Sequence, residues 1–168
     1  MKYFVTLALA VTTLFICNCG GGDSGSGKPA PVKGTTIETA TDQTDTSECH
    51  GTPPVGSSIV GKWYTLMKGP TISYVMSFDI NENNTTITNQ CYINSGDKGQ
   101  ASVNVPSSYT STQYNILGSD SNEQSNGSVK CTVSAQTGSL EYSLVGTCLK
   151  IKHGTQEGYL VSKRPTNF

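Results

Sequence analysis

Ile72-Ser73-Tyr74-Val75-Met76-Ser77-Phe78-Asp79-Ile80 decides the fold. Large apolar side chains fall on every second residue from Ile72 to Ile80, and Ser73, Ser77 and Asp79 fall between them. A period of two puts alternate side chains on opposite faces, so this is a strand with one buried face. Asn81-Glu82-Asn83-Asn84 then reads as a turn, because Asn tolerates positive φ.

The same rhythm continues outward from this strand. Thr85 to Ile93 sets Ile87, Cys91 and Ile93 on one side, and Gly96-Asp97-Lys98-Gly99 turns the chain. Gln100 to Val105 alternates Ala101, Val103 and Val105, and Pro106, which lacks a ladder donor, should end it. Tyr109 to Leu117 places Tyr114 and Ile116 together, and Gly118 to Gly127 reads as a polar loop. Ser128 to Ser134, Leu140 to Val145, Cys148 to Lys152 and Gly158 to Lys163 complete the series. Eight or nine short strands with tight turns and no helical period predict an all-β antiparallel meander. Closing it into an up-and-down barrel removes its edges, and a two-sheet β-sandwich is the alternative.

The first part of the chain has a different character. Lys2 precedes an apolar run from Phe4 to Ile16, the right length for a signal peptide and too short to span a membrane. Residues 1–18 are therefore expected to be a leader. Residues 19–56 are rich in Gly, Ser, Thr and Pro with almost nothing large to bury, which predicts a flexible tether. The barrel domain is expected over 57–168.

Of six cysteines, Cys17 falls in the leader. Cys49, Cys91, Cys131 and Cys148 make an even set in an exported chain, so two disulfides are expected, with three pairings open. Strand faces favour two of the possible bonds. Cys91 and Cys131 point inward with their apolar neighbours, whereas Cys148 is out of phase with Leu149 and Ile151 and points to where the tether's Cys49 could reach.

Two resemblances add to this reading. Ile16-Cys17-Asn18-Cys19 followed by Gly20-Gly21-Gly22 resembles a bacterial lipoprotein signal, with Cys19 as the acylated residue. Asn18 departs from the small residue usual before that cysteine. Acylation implies attachment to the cell envelope, with the outer membrane expected and secretion or a periplasmic location as alternatives. Gly61-Lys62-Trp63 resembles the G-x-W of lipocalin-like proteins, whose Gly and Trp sit on the first barrel strand. That family packs a basic residue from the end of the last strand over the indole, and Arg164 stands where that partner belongs. The resemblance covers roughly 57–164; the domain is shorter than a lipocalin and no helix pattern flanks the last strand. A lipocalin-like interior makes Tyr74, Met76 and Phe78 candidates to line a small apolar ligand, against the plainer reading of a core stripe.

Catalytic chemistry finds no support. Gly22-Asp23-Ser24-Gly25 imitates a serine-protease signature but lies in the tether. His50 and His153 are the only histidines and have no nucleophile or thiolate partner to form a triad or a zinc site. Asp79 to Asn83 imitates a calcium loop, but its glycine position is Asn84 and its twelfth position is Gln90. A net charge of −1 gives no basic field for nucleic acid. The sequence therefore leads to a monomeric, non-catalytic envelope lipoprotein without metal or cofactor. Its barrel would either bind a small hydrophobic molecule or envelope component, or be filled and act through its surface.

Overall fold

The structure is a computed structural model and describes residues 41–93, 98–126 and 129–166. The leader and Cys19 lie outside the described residues. β1 (Thr41–Asp42) precedes β2 (Gly61–Lys68), β3 (Ile72–Ile80), β4 (Asn84–Ile93), β5 (Lys98–Tyr109) and β6 (Gln113–Ile116). Then come β7 (Asp120–Asn126), β8 (Val129–Ala135), β9 (Gly138–Val145), β10 (Cys148–His153) and β11 (Gln156–Val161).

Strands β2, β3, β4, β5, β6, β9, β10 and β11 pair antiparallel in that order, and β11 returns to β2 to close an eight-stranded barrel. The alternation that predicts the strands also sorts their faces. Trp63, Met76, Phe78, Ile80, Ile87, Val103, Val105, Tyr114, Ile116, Leu149 and Leu160 all belong to one buried cluster inside the barrel. Trp63 Nε1 donates to the carbonyl of Ile59, 2.7 Å away, and Ile59, 2% exposed, is part of that cluster.

The register fixes the barrel's width. Tyr64 stands level with Ser77, Thr88 and Ser102 going one way round. Going the other way it is level with Val161, Cys148 and Val145. Across β6, however, Leu140 is level with Tyr114 and hence with Tyr109. Tyr109 lies seven residues beyond Ser102, and Leu140 lies five before Val145. The ladder therefore returns to itself twelve residues out of step. The eight strands of a (β/α)8 barrel, with a shear of eight, enclose a core that side chains alone fill. A larger shear tilts the strands further and widens the barrel.

The chain itself takes up that width. Between β6 and β9, which are neighbours in the barrel, it makes the β7–β8 hairpin as a separate two-stranded sheet. Val129, Cys131, Val133 and Ala135 of β8 are buried, and Val133 and Ala135 join the main cluster. Inward-facing Asn89, fully buried, donates Nδ2–H to the carbonyl of Thr132 at 2.9 Å. Gly99 leaves just enough room for this packing, since a Cβ there would lie 3.3 Å from both Cys131 Cβ and Val129 Cγ1.

These observations correct three sequence expectations. The segment taken as a polar loop, Gly118 to Gly127, contains β7. Its strand character was hidden because it is polar on both faces, exposed at nearly every position. The strand beginning near Ser128 is not a barrel stave but part of the filling. Pro106 does not end its strand: β5 continues to Tyr109, and Pro106 pairs with Asn84. Its carbonyl still accepts from Leu117 N at 2.8 Å, and just beyond the end of β6 Gly118 lies against its ring, where no donor is required.

Over the rest of β5, no barrel strand pairs with it on the β6 side among the described residues. Asn122 Nδ2 donates to the carbonyl of Ser102 at 2.9 Å and Asn126 Nδ2 to that of Lys98 at 2.8 Å. Both pairs are spaced four residues apart, so β7 covers the free edge with amide side chains instead of a backbone ladder.

Candidate functional site

The predicted site residues separate into an interior group, a closure group and the disulfides. Met76 and Phe78 are in the main cluster, and Tyr74 packs against a smaller one formed by Cys91, Val129 and Cys131. The whole stripe therefore faces protein: the core on one part and the disulfide-linked hairpin on the other. Disulfides join Cys91 to Cys131 and Cys49 to Cys148. His50 and His153 are exposed. Among the described residues no three of His, Cys, Asp and Glu converge on a metal-sized site.

The expected stacking of Arg164 on Trp63 is not present. Trp63 points inward, opposite Phe78, which is opposite Ile87. Arg164 Nη2 instead donates to Gln90 Oε1 at 3.0 Å and to the Tyr92 hydroxyl at 2.7 Å. Gln90 and Tyr92 alternate with inward Asn89 and Cys91, so they lie on the outer face. The sheet separates the guanidinium from the indole. After β11 the chain runs across the outside of β2, β3 and β4. Leu66 and Val75 occupy outward positions there yet are 4% and 1% exposed.

The same region contains a groove of about 320 Å³, whose apolar lining includes Leu66, Val161 and Cys148. Asp45 and Glu48 stand on one side, and Lys68, Lys163 and Arg164 come from β2 and the chain after β11. Within the segment assigned to the tether by composition, residues 41–51 are bonded to the barrel. Thr41 and Asp42 pair with Lys68 and Met67. Gln43 N donates to the carbonyl of Leu66 at 2.8 Å, and Leu66 N donates to Thr44 Oγ1 at 3.0 Å. Thr44 Oγ1 also shares a hydrogen bond with Thr65 Oγ1 at 2.9 Å.

Further along, this strap clasps the β9–β10 turn. Gly146 N donates to the carbonyl of Gly51 at 3.1 Å, and Thr147 N to that of Glu48 at 3.4 Å. Gly146 has φ +56°, and a Cβ would collide with the carbonyls of Glu48 and His50, so two separate constraints select glycine. Lys163 Nζ lies 2.8 and 3.0 Å from the two Glu48 carboxylate oxygens. That bond, and then one from the Thr147 hydroxyl, holds the Glu48 carboxyl below its ordinary range. Asp45 is also lowered, chiefly by the backbone N–H and the side chain of Ser47. The pair is exposed, so it orients the strap more than it stabilises the fold.

Gln43, Thr44, Glu48 and Lys163 were not marked by any sequence pattern. The available signal was Cys49: a disulfide to a barrel cysteine holds its neighbours against the barrel. A second, shallower groove of about 360 Å³ lies where β6 meets β9 and β10 and includes Glu141, Tyr142, Lys150 and Lys152. Lys150 is bonded to Glu157 at 2.6 Å and Lys152 to Glu141 at 3.2 Å, so both cations there are already satisfied.

No protein-family model matches the chain, and neither the curated proteins nor the solved structures provide a significant match. The geometry therefore defines a class and no closer relation: an all-β, closed eight-stranded antiparallel barrel with two disulfides.

Proposed function

We propose that the chain is a non-catalytic lipoprotein of the bacterial envelope, anchored at the outer membrane through an acylated Cys19, with a filled barrel that acts through its surface. The observation that carries this reading is the position of β8. Val129, Cys131, Val133 and Ala135 occupy the interior against which Tyr74, Met76 and Phe78 were candidates to bind a ligand. An apolar ligand would have to displace a disulfide-linked hairpin. The two disulfides fit an exported chain, since such bonds persist in oxidising compartments. The sequence Ile16-Cys17-Asn18-Cys19 supports the anchor.

Two measurements test it. Cys19→Ser should move the protein from the membrane fraction to the soluble fraction; unchanged membrane association would rule out the anchor. Native mass spectrometry of the protein, offered fatty acids and retinoid-like probes, should return an unliganded mass. A stoichiometric adduct would restore the small-ligand reading in place of the filled barrel.

A further inference from the structure

The strap and β11 compete for one edge of β2. The ladder between β11 and β2 contains the single pair Val161↔Tyr64. Continued in the same register, it would set Tyr159 opposite Leu66 and Glu157 opposite Lys68. Those positions on β2 are taken. The Leu66 carbonyl accepts from Gln43 N and the Leu66 N–H donates to Thr44 Oγ1, while Lys68 and Met67 pair with β1. A strand edge has one set of donors and acceptors, so it serves one neighbour at a time.

We infer that the segment Thr41–Thr44 is a displaceable wedge, and that the barrel has a second closed state in which β11 zips onto β2 through Tyr159 and Glu157. This goes beyond the proposed function and does not depend on it. Two features favour a two-state seam over a fixed one in the described part of the wedge. Its outer side is satisfied by its own side chains: Asp42 Oδ1 accepts from Thr44 N at 2.8 Å and Gln43 Nε2 donates to the Asp42 carbonyl at 3.0 Å. Among the described residues, it can therefore leave without stripping partners from any element except β2. β11 has the complementary chemistry, since zipping would put the Glu157 carboxylate across from Lys68, an opposite-charge cross-strand pair.

What holds the wedge in place lies just after it in sequence. Cys49–Cys148 fixes its distal end to the β9–β10 turn, and Glu48–Lys163 fixes it to the chain that follows β11. Both contacts join the wedge to the β9–β11 side of the seam, so they hold the seam split.

The test is residue-resolved amide hydrogen exchange on the full chain, comparing the native protein with the Cys49→Ser/Cys148→Ser variant. In the native protein Gln43, bonded to Leu66, should be protected and Tyr159 should exchange faster. In the variant Gln43 should lose protection while Tyr159 gains it, each by roughly tenfold or more. Retained Gln43 protection in the variant would mean that the wedge is permanent. Loss at Gln43 without gain at Tyr159 would mean that no second closure exists. Gln43→Pro removes the donor to Leu66 with both disulfides intact. That variant has no amide at 43, so it is read at Tyr159 alone if the cysteine variant does not fold: a gain of protection there supports the second closure, and an unchanged Tyr159 amide would overturn the inference.

Discussion

Arg164 and Trp63, the two residues expected to stack, lie on opposite faces of the same sheet, with the guanidinium on Gln90 and Tyr92 and the indole bonded to Ile59. The consequence is an asymmetry between substitutions. Trp63→Ala removes a buried ring and should cost about 3–5 kcal/mol. Arg164→Ala removes exposed hydrogen bonds and should cost about 1 kcal/mol or less. Denaturant titration measures both. Tryptophan emission should be unchanged in Arg164→Ala; a red shift would place the arginine against the indole after all.

A buried hydroxyl chain sets an alkaline limit. Tyr114 donates to Thr85 Oγ1 at 2.7 Å, and Thr85 Oγ1 lies 2.9 Å from Ser107 Oγ. Burial raises the Tyr114 phenol above its ordinary 10.0, against the opposing effect of these hydrogen bonds. A raised folded-state value means that the folded protein holds the proton more tightly. The contribution to stability is therefore complete below about pH 10 and is lost as pH rises through the raised value. Unfolding midpoints measured from pH 8 upward should fall only beyond about pH 10, and Tyr114→Phe should flatten that fall. The same substitution should cost about 1–2 kcal/mol at neutral pH, since it takes a donor from Thr85 in the core.

Acid should loosen the strap. Lys163 first, and the Thr147 hydroxyl second, lower the Glu48 carboxyl below its ordinary 4.5. With the folded-state value depressed, the contribution is present above about pH 4.5 and is lost as pH falls through the lowered value. Amide protection at Thr147, corrected for intrinsic exchange, should decline over that window while Ile87 in the barrel core stays protected. Glu48→Gln should abolish the decline; persistence of the decline in that variant would assign it to Asp45 or another acid.

The two disulfides should rank by loop length. Cys49–Cys148 spans 99 residues and Cys91–Cys131 spans 40. On the loop-entropy relation they stabilise by about 4.7 and about 3.9 kcal/mol. Paired Cys→Ser variants, compared by urea midpoint at constant slope, should show both losses. The reverse order would mean that the Cys91–Cys131 loss includes collapse of hairpin packing in the interior.

Asn122 and Asn126 protect the open part of β5. Asn122→Ala/Asn126→Ala leaves the carbonyls of Ser102 and Lys98 without these donors, at a cost of about 1–2 kcal/mol. Light scattering should show more self-association, because an uncovered strand edge pairs with other chains. Unchanged scattering would show that β7 protects the edge by bulk alone.

The elements of the barrel could be read from the chain because each stave is amphipathic at period two. Ile72 to Ile80 and Thr85 to Ile93 stated their buried faces outright, and the structure gives β3 and β4 nearly those limits. β7 could not be read, since Asp120-Ser121-Asn122-Glu123-Gln124-Ser125-Asn126 has no apolar face and its strand character comes from pairing with β8. The strap was equally silent: Gln43 and Thr44 act through one backbone amide and one hydroxyl, which alternation does not mark.

By itself, the sequence determined an all-β antiparallel meander, an inward stripe through Tyr74, Met76 and Phe78, and cysteine positions compatible with two disulfides, with barrel and sandwich both open. These follow from the local rule that alternate residues share a face. Only the tertiary structure decided that the barrel is wide, that its own β8 packs inside it, that Arg164 lies outside, and that β2 is shared between β11 and the strap. Each of these depends on register and on which edge finds which partner. Such pairings join residues far apart in the chain, and a strand's own residues specify its faces but not its neighbours.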